Sequence, residues 1–212
     1  MCGAATGGDM KDRIILDLCG GTGSWSKPYR DAGYDVRVIT LPDNDVRTYI
    51  PPDNVHGVLA APPCDEFSIA KDHKIERNIG IGIEIVDACL EIVRSCKPVF
   101  NALENPIGLL QKYLGWPSYV FQPWNFGDPW TKKTGIWGTF NAPRKIYHKW
   151  EDVPKNSNLY IRPGRTKPSI AFLHKSAKQF IDSFSDFECE TDAGFRAITP
   201  QGFANAFFKE NP

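Results

Sequence analysis

Ile14-Ile15-Leu16-Asp17-Leu18 runs straight into Cys19-Gly20-Gly21-Thr22-Gly23, and no other stretch constrains the fold as much. It reads as a strand emptying into a glycine turn, where backbone can approach a nucleoside-type cofactor closely. The residues that follow keep the rhythm. Ser24 to Ala32 is predicted as a helix, capped by Ser24 and closed by Gly33, with Pro28 near its first turn. Asp35 to Thr40 alternates as a strand, and Val55 to Ala61 is a short buried run. Ile79, Ile83, Val86, Leu90 and Val93 recur at helical spacing, which predicts a helix over Gly80 to Lys97, and Val99 to Leu103 is a further apolar run. This β-α-β order implies an α/β fold with a mostly parallel sheet and helices on both faces.

Open sheets of this kind bind their ligands beyond the carboxyl ends of the strands, so what stands there carries the chemistry. Val55 to Ala61 delivers Pro62-Pro63-Cys64, and Val99 to Leu103 delivers Glu104-Asn105-Pro106. A thiol and a carboxylic acid would then share one cleft. The thiol acts only as thiolate and needs a helix N-terminus or a cation beside it, and the turn after Cys64 is expected to start a helix over Asp65 to Ala70. The competing readings are a buried structural cysteine at 64, and a Glu104 that is a salt-bridge partner or neighbours the cap of a helix over Ile107 to Tyr113. Cys89 and Cys96, seven residues apart on one helix face, read as small core groups.

The chain's 212 residues suffice for one α/β domain, and 25 Lys or Arg balance 25 Asp or Glu, which gives no global sign of a polyanionic partner. The neutral total hides a local bias. Thr139 to Lys178 holds nine Lys or Arg against Glu151 and Asp152, while Asp182 to Asp192 holds five acids and no base. That basic segment is either a solvated face or, beside a base-modifying site, a phosphate contact. Tyr119 to Phe140 is rich in aromatics, with strands expected at Val120-Phe121-Gln122 and Gly135-Ile136-Trp137-Gly138. Six cysteines without a C-x-x-C pair argue against structural zinc and fit reduced thiols in a cytoplasm. Residues 1–12 read as a flexible tail without secretory features, and no window is long and apolar enough for a membrane span.

In motif order, residues 13 to 208 resemble the cytosine-5 DNA methyltransferases, particularly short phage-like members. Asp17 to Gly23 is similar to the family's motif for S-adenosyl-L-methionine, and Asn44-Asp45-Val46 occupies the place of the acid that contacts adenine. Pro62-Pro63-Cys64 with Phe67-Ser68 matches the nucleophile motif, and Glu104-Asn105 the Glu-Asn pair. Phe126 to Thr134 falls where the family has Gly-x-Pro-Gln-x-Arg-x-Arg, with Trp130, Lys132 and Thr134 in place of the glutamine and two arginines. Arg196-Ala197-Ile198-Thr199-Pro200 resembles the late Arg-x-Leu-Thr-Pro motif.

The resemblance implies a Rossmann-like class I methyltransferase, a single catalytic domain over residues 13–212 with a reduced basic insert around 139–190. It implies Cys64 and Glu104 as catalytic residues. Asp17, Gly21, Gly23, Asp45 and Pro62 would hold S-adenosyl-L-methionine, while Ser68, Lys132 and Lys133 would face DNA. RNA or a free cytidine nucleotide stays open as substrate, and so does a protein partner that supplies target recognition. Two other functions stay open: methylation of an exocyclic amino group, whose motif carries an aromatic where Cys64 stands, and a silent nucleic-acid-binding module.

Overall fold

The computed structural model describes residues 10–69, 76–175 and 191–212. Six strands form one sheet: β1 (Ile14–Leu18), β2 (Asp35–Ile39), β3 (Val55–Ala60), β4 (Phe100–Pro106), β5 (Tyr119–Phe121) and β6 (Thr134–Thr139). Their order is β2-β1-β3-β4-β6-β5. The first four run parallel, and β6 is antiparallel to both β4 and β5. Because β2 lies on one side of β1 and β3 on the other, the chain reverses its direction of winding between β1 and β3, which opens a crevice beyond their carboxyl ends.

Side chains alternate across the strands and feed two cores. Leu16, Leu18, Val58, Ala60 and Leu103 pack against Val86, Cys89 and Ile92 of α2 (Ile79–Cys96). Ile15, Leu59, Ala102 and Phe121 face the opposite way. They pack against Tyr29 of α1 (Lys27–Asp31) and Phe203 and Phe207 of the helix Gln201–Glu210. Between these lie the short helices α3 (Gln111–Leu114) and α4 (Asp192–Ala197), which makes Gln201–Glu210 α5. Helices therefore cover both faces, as the β-α-β order implied. No described helix is long and apolar enough to cross a membrane.

Several element boundaries differ from expectation for local reasons. The helix expected from Ser24 begins only at Lys27, because Ser24 and Ser26 are buried and bonded elsewhere. β4 does not end at Leu103 but continues through Glu104 and Asn105 to Pro106, since β6 pairs with it along Asn101–Pro106. The helix expected from Ile107 starts at Gln111, because Ile107 N–H is drawn to Lys133 O (2.9 Å) and Leu109 N–H to Phe67 O (2.8 Å). After Cys64 there is a tight turn rather than a helix, with Phe67 and Ser68 N–H both donating to Cys64 O at 3.0 and 2.8 Å. The end of that expected helix at Ala70, and the acidic stretch up to Glu190, lie outside the described residues.

Candidate active site at the strand ends

Cys19, Gly21 and Gly23 all take positive φ, at 54°, 54° and 69°, so the turn after β1 is a left-handed loop that only its glycines adopt without strain. Beneath it Asp17 is fully buried and accepts a 2.5 Å hydrogen bond from Ser26 Oγ. A Cβ on Gly20 would lie 2.4 Å from Asp17 Cγ, so glycine is what lets the loop settle onto the carboxylate. Burial pushes the Asp17 carboxyl up to about 6, with the Ser26 bond and the Arg30 charge opposing. Asp17 Oδ1 has no hydrogen-bond partner among the described residues, whereas Gly21 is exposed with open space above it.

The C-terminal motif closes the underside of this turn. Thr199 N–H donates to Ser24 Oγ (2.8 Å), and Gln201 Nε2 donates to Ser24 O (3.0 Å). Trp25 packs on Phe203 and Phe207. Ser24 reads in sequence only as a helix cap, and neither Ser26 nor Thr199 has a site role there. The Arg-x-x-Thr-Pro resemblance was the one signal for Thr199, and an isolated serine gives none. On the other side, the Cys89 thiol bonds to Cys19 and holds the Cys19 thiol below its ordinary value, so Cys89 joins α2 to the turn as well as filling space.

At the end of β3, Pro62 is buried and its carbonyl accepts from Asn105 Nδ2 (2.9 Å), which ties the Pro62-Pro63-Cys64 segment to β4. Cys64 is half-buried. Burial pushes its thiol up, the Lys132 charge pulls it down, and Glu104 and Asp65 push it up further. Glu104 and Lys132 form an ion pair with 3.3 Å between Oε1 and Nζ, each side chain 8% exposed. The distance suits an ion pair, but Glu104 Oε1 has no hydrogen-bond partner among the described residues. Thiol, carboxylate and ammonium thus interact at the ends of β3 and β4.

The other site residues fall differently. Lys132 turns inward to Glu104, and the cation that acts on Cys64 is this lysine, where a helix N-terminus was the other expected source. Lys133 is exposed. Ser68 holds the turn by its backbone, with its carbonyl accepting from Arg77 Nη2 (2.9 Å). Asp45 stands in the loop after β2, and Arg47 grips its carboxylate at 2.6 Å and holds it down at about 2. Trp130, the residue in the glutamine position, is buried in a small core with Leu159 and Phe195. Among the described residues no group of three or more His, Cys, Asp or Glu side chains could hold a metal ion.

No family model matches the chain, and no curated protein matches it. Among solved structures it is similar to an Escherichia coli protein described as a candidate DNA modification methyltransferase encoded within a prophage, at 14% identity and a TM-score of 0.45. The likeness covers 76% of this chain and 54% of that one, so the chain spans about half the length of that neighbour.

Proposed function

We propose that the chain is a Rossmann-like, S-adenosyl-L-methionine-dependent methyltransferase acting on carbon 5 of cytosine in DNA. The observation that carries this reading is the Cys64 thiol at the end of β3, under the influence of a buried Lys132–Glu104 pair and next to a glycine turn at the reversal point of the sheet. The cofactor fits the residues at that turn: a left-handed glycine loop with open space over Gly21 and a buried acceptor, Asp17 Oδ1, still unbonded. Asp17, Gly21, Gly23, Asp45 and Pro62 would hold it. When bound there, S-adenosyl-L-methionine supplies an electrophilic methyl group.

The protein's part is to make the cytosine ring nucleophilic. Carbon 5 is too weak a nucleophile by itself, so the Cys64 thiolate adds to carbon 6 and the ring electrons shift toward carbon 5. Lys132 favours that thiolate by its charge. Glu104, with hydrogen-bonding capacity left at Oε1, shares a carboxyl proton with ring nitrogen 3 as negative charge builds on the ring, and takes it back when the sulfur leaves. After methylation a base removes the carbon-5 proton, the bond from sulfur to carbon 6 breaks, and Cys64 leaves as thiolate. Duplex DNA must expose the target base for this, and the basic residues of 139–175 would hold the backbone meanwhile.

An oligonucleotide containing 5-fluorocytosine tests the reading, because fluorine blocks the last proton removal and leaves Cys64 bound to carbon 6. Wild-type protein with S-adenosyl-L-methionine should form a denaturant-resistant complex, and Cys64→Ser should form none and transfer no methyl group. Methyl transfer that survives Cys64→Ser would indicate the amino-group reaction instead, and binding without any transfer would indicate a silent module.

A further inference from the structure

The Lys167 ammonium meets no anion among the described residues. Its Nζ lies over two indole rings, 5.7 Å from the centre of Trp124 and 5.3 Å from that of Trp150, and the two rings meet edge to face at 6.4 Å. Among the described residues it forms no ion pair and donates no hydrogen bond. Lys155 sits over the same Trp150 ring at 4.5 Å, anchored by main-chain carbonyls that include Val153 O (2.6 Å). Trp124, Trp150 and Lys167 are each half-buried, with part of their surface open to solvent. An aromatic face fixes a lysine in position without neutralising it, so the charge stays available to an arriving anion.

The cluster is also tethered to the segment that carries Lys132. Pro168, next to Lys167, accepts from both Thr131 N–H (3.0 Å) and Thr131 Oγ1 (2.9 Å), and Ile170 N–H returns to Thr131 O (3.1 Å). Gln122, two residues before Trp124, accepts from Lys132 N–H (2.9 Å). Both sides of the clamp thus attach to the dipeptide Thr131-Lys132, and Lys132 is the residue whose ammonium reaches Glu104.

We propose that Trp124, Trp150 and Lys167 form a clamp for an unpaired nucleic-acid strand next to the target nucleotide. The proposal rests on the reading of the substrate as nucleic acid and goes beyond it by naming the strand state and the residues that read it. A base arriving at the indoles displaces the Lys167 ammonium from the rings, and the ammonium swings onto the adjoining phosphate. One move exchanges a cation–ring contact for a stacked base and a cation–phosphate contact, which a duplex with its bases already stacked cannot accept as well. The charge around the clamp fits a polyanion, since residues 139–175 carry eight Lys or Arg against two acids, Glu151 and Asp152.

The test is fluorescence anisotropy of the full chain with a labelled 12-nucleotide DNA, its duplex and the matching RNA, across 50 to 200 mM salt. The unpaired DNA is expected to bind at least about tenfold tighter than the duplex. Lys167→Met, which leaves the rings in place, should lower the salt slope for the unpaired strand by about 0.7. Trp124→Leu with Trp150→Leu should weaken the unpaired strand about tenfold and the duplex hardly at all, with thermal melting as the folding control. RNA binding as tight as DNA, with the same losses, also supports the clamp. Duplex binding as tight as the unpaired strand, or a Lys167→Met protein with wild-type affinity and slope, overturns it. Failure of the 5-fluorocytosine adduct with these losses intact removes the methylation reading alone, and an adduct without these losses removes the clamp alone.

Discussion

Asp17→Asn isolates the cost of keeping a charge under the glycine turn. In the native protein the carboxyl is fully buried, and burial pushes it up to about 6 from the ordinary 3.8. At about 1.4 kcal/mol for each tenfold change in proton affinity, ionised Asp17 costs the fold about 3 kcal/mol relative to an ordinary carboxylate. The sign follows from proton binding: between pH 3.8 and about 6 the native state holds a proton that the unfolded state has lost. The contribution of this group is therefore fully present below pH 3.8 and is lost as pH rises through about 6. Asparagine has no such titration. Urea unfolding of both proteins at steps from pH 4 to 7.5 should give a difference curve that moves by about 2.4 kcal/mol in favour of Asp17→Asn as pH rises. Any constant offset from the altered bond to Ser26 or an unpaired amide does not affect that slope. Calorimetric titration with S-adenosyl-L-methionine should show weaker binding by the variant. A difference curve flat to within about 1 kcal/mol would refute the burial argument, because other titrating groups are common to both proteins.

Three further outcomes are expected. Alkylation of Cys64 by iodoacetamide, followed against pH, should shift to higher pH in Lys132→Met and to lower pH in Glu104→Gln, since the lysine lowers and the glutamate raises the thiol's pKa; superimposable profiles would detach the ion pair from the thiol. Gly108→Ala puts a Cβ 2.3 Å from Phe67 O, so it should push the 64–68 turn off β4, cost about 1–3 kcal/mol in denaturant unfolding, and slow Cys64 adduct formation. Phe203→Ala removes a ring that is fully buried and stacked 3.9 Å from Phe121, and should lower stability by about 3–5 kcal/mol, measured by the same unfolding assay.

The parallel sheet and its strand ends were legible because short apolar runs with turn residues between them repeat through the first hundred positions. Local pattern alone also marked Cys64 and Glu104 as chemistry-bearing residues, since a thiol after two prolines and a carboxylate after an apolar run need no partner to be noticed. What surrounds them was not legible. The place of Lys132 depends on β6 turning back antiparallel on β4, a pairing between segments thirty residues apart that leaves no periodic trace. The same pairing extended β4 through Glu104 and delayed the next helix, overriding the local cue that Glu-Asn-Pro opens one. Likewise Ser24 and Thr199 meet across 175 positions, and Lys167 meets Trp124 only because Pro168 bonds to Thr131.

Sequence by itself therefore determined which elements form and what groups they carry to the edge of the sheet, because strand and turn preferences act over a few neighbours. Tertiary structure alone decided which charges face the thiol, that Asp17 lies buried beneath its loop, and which rings hold a lysine. Those are effects of burial and through-space distance, and both exist only once remote segments have packed together.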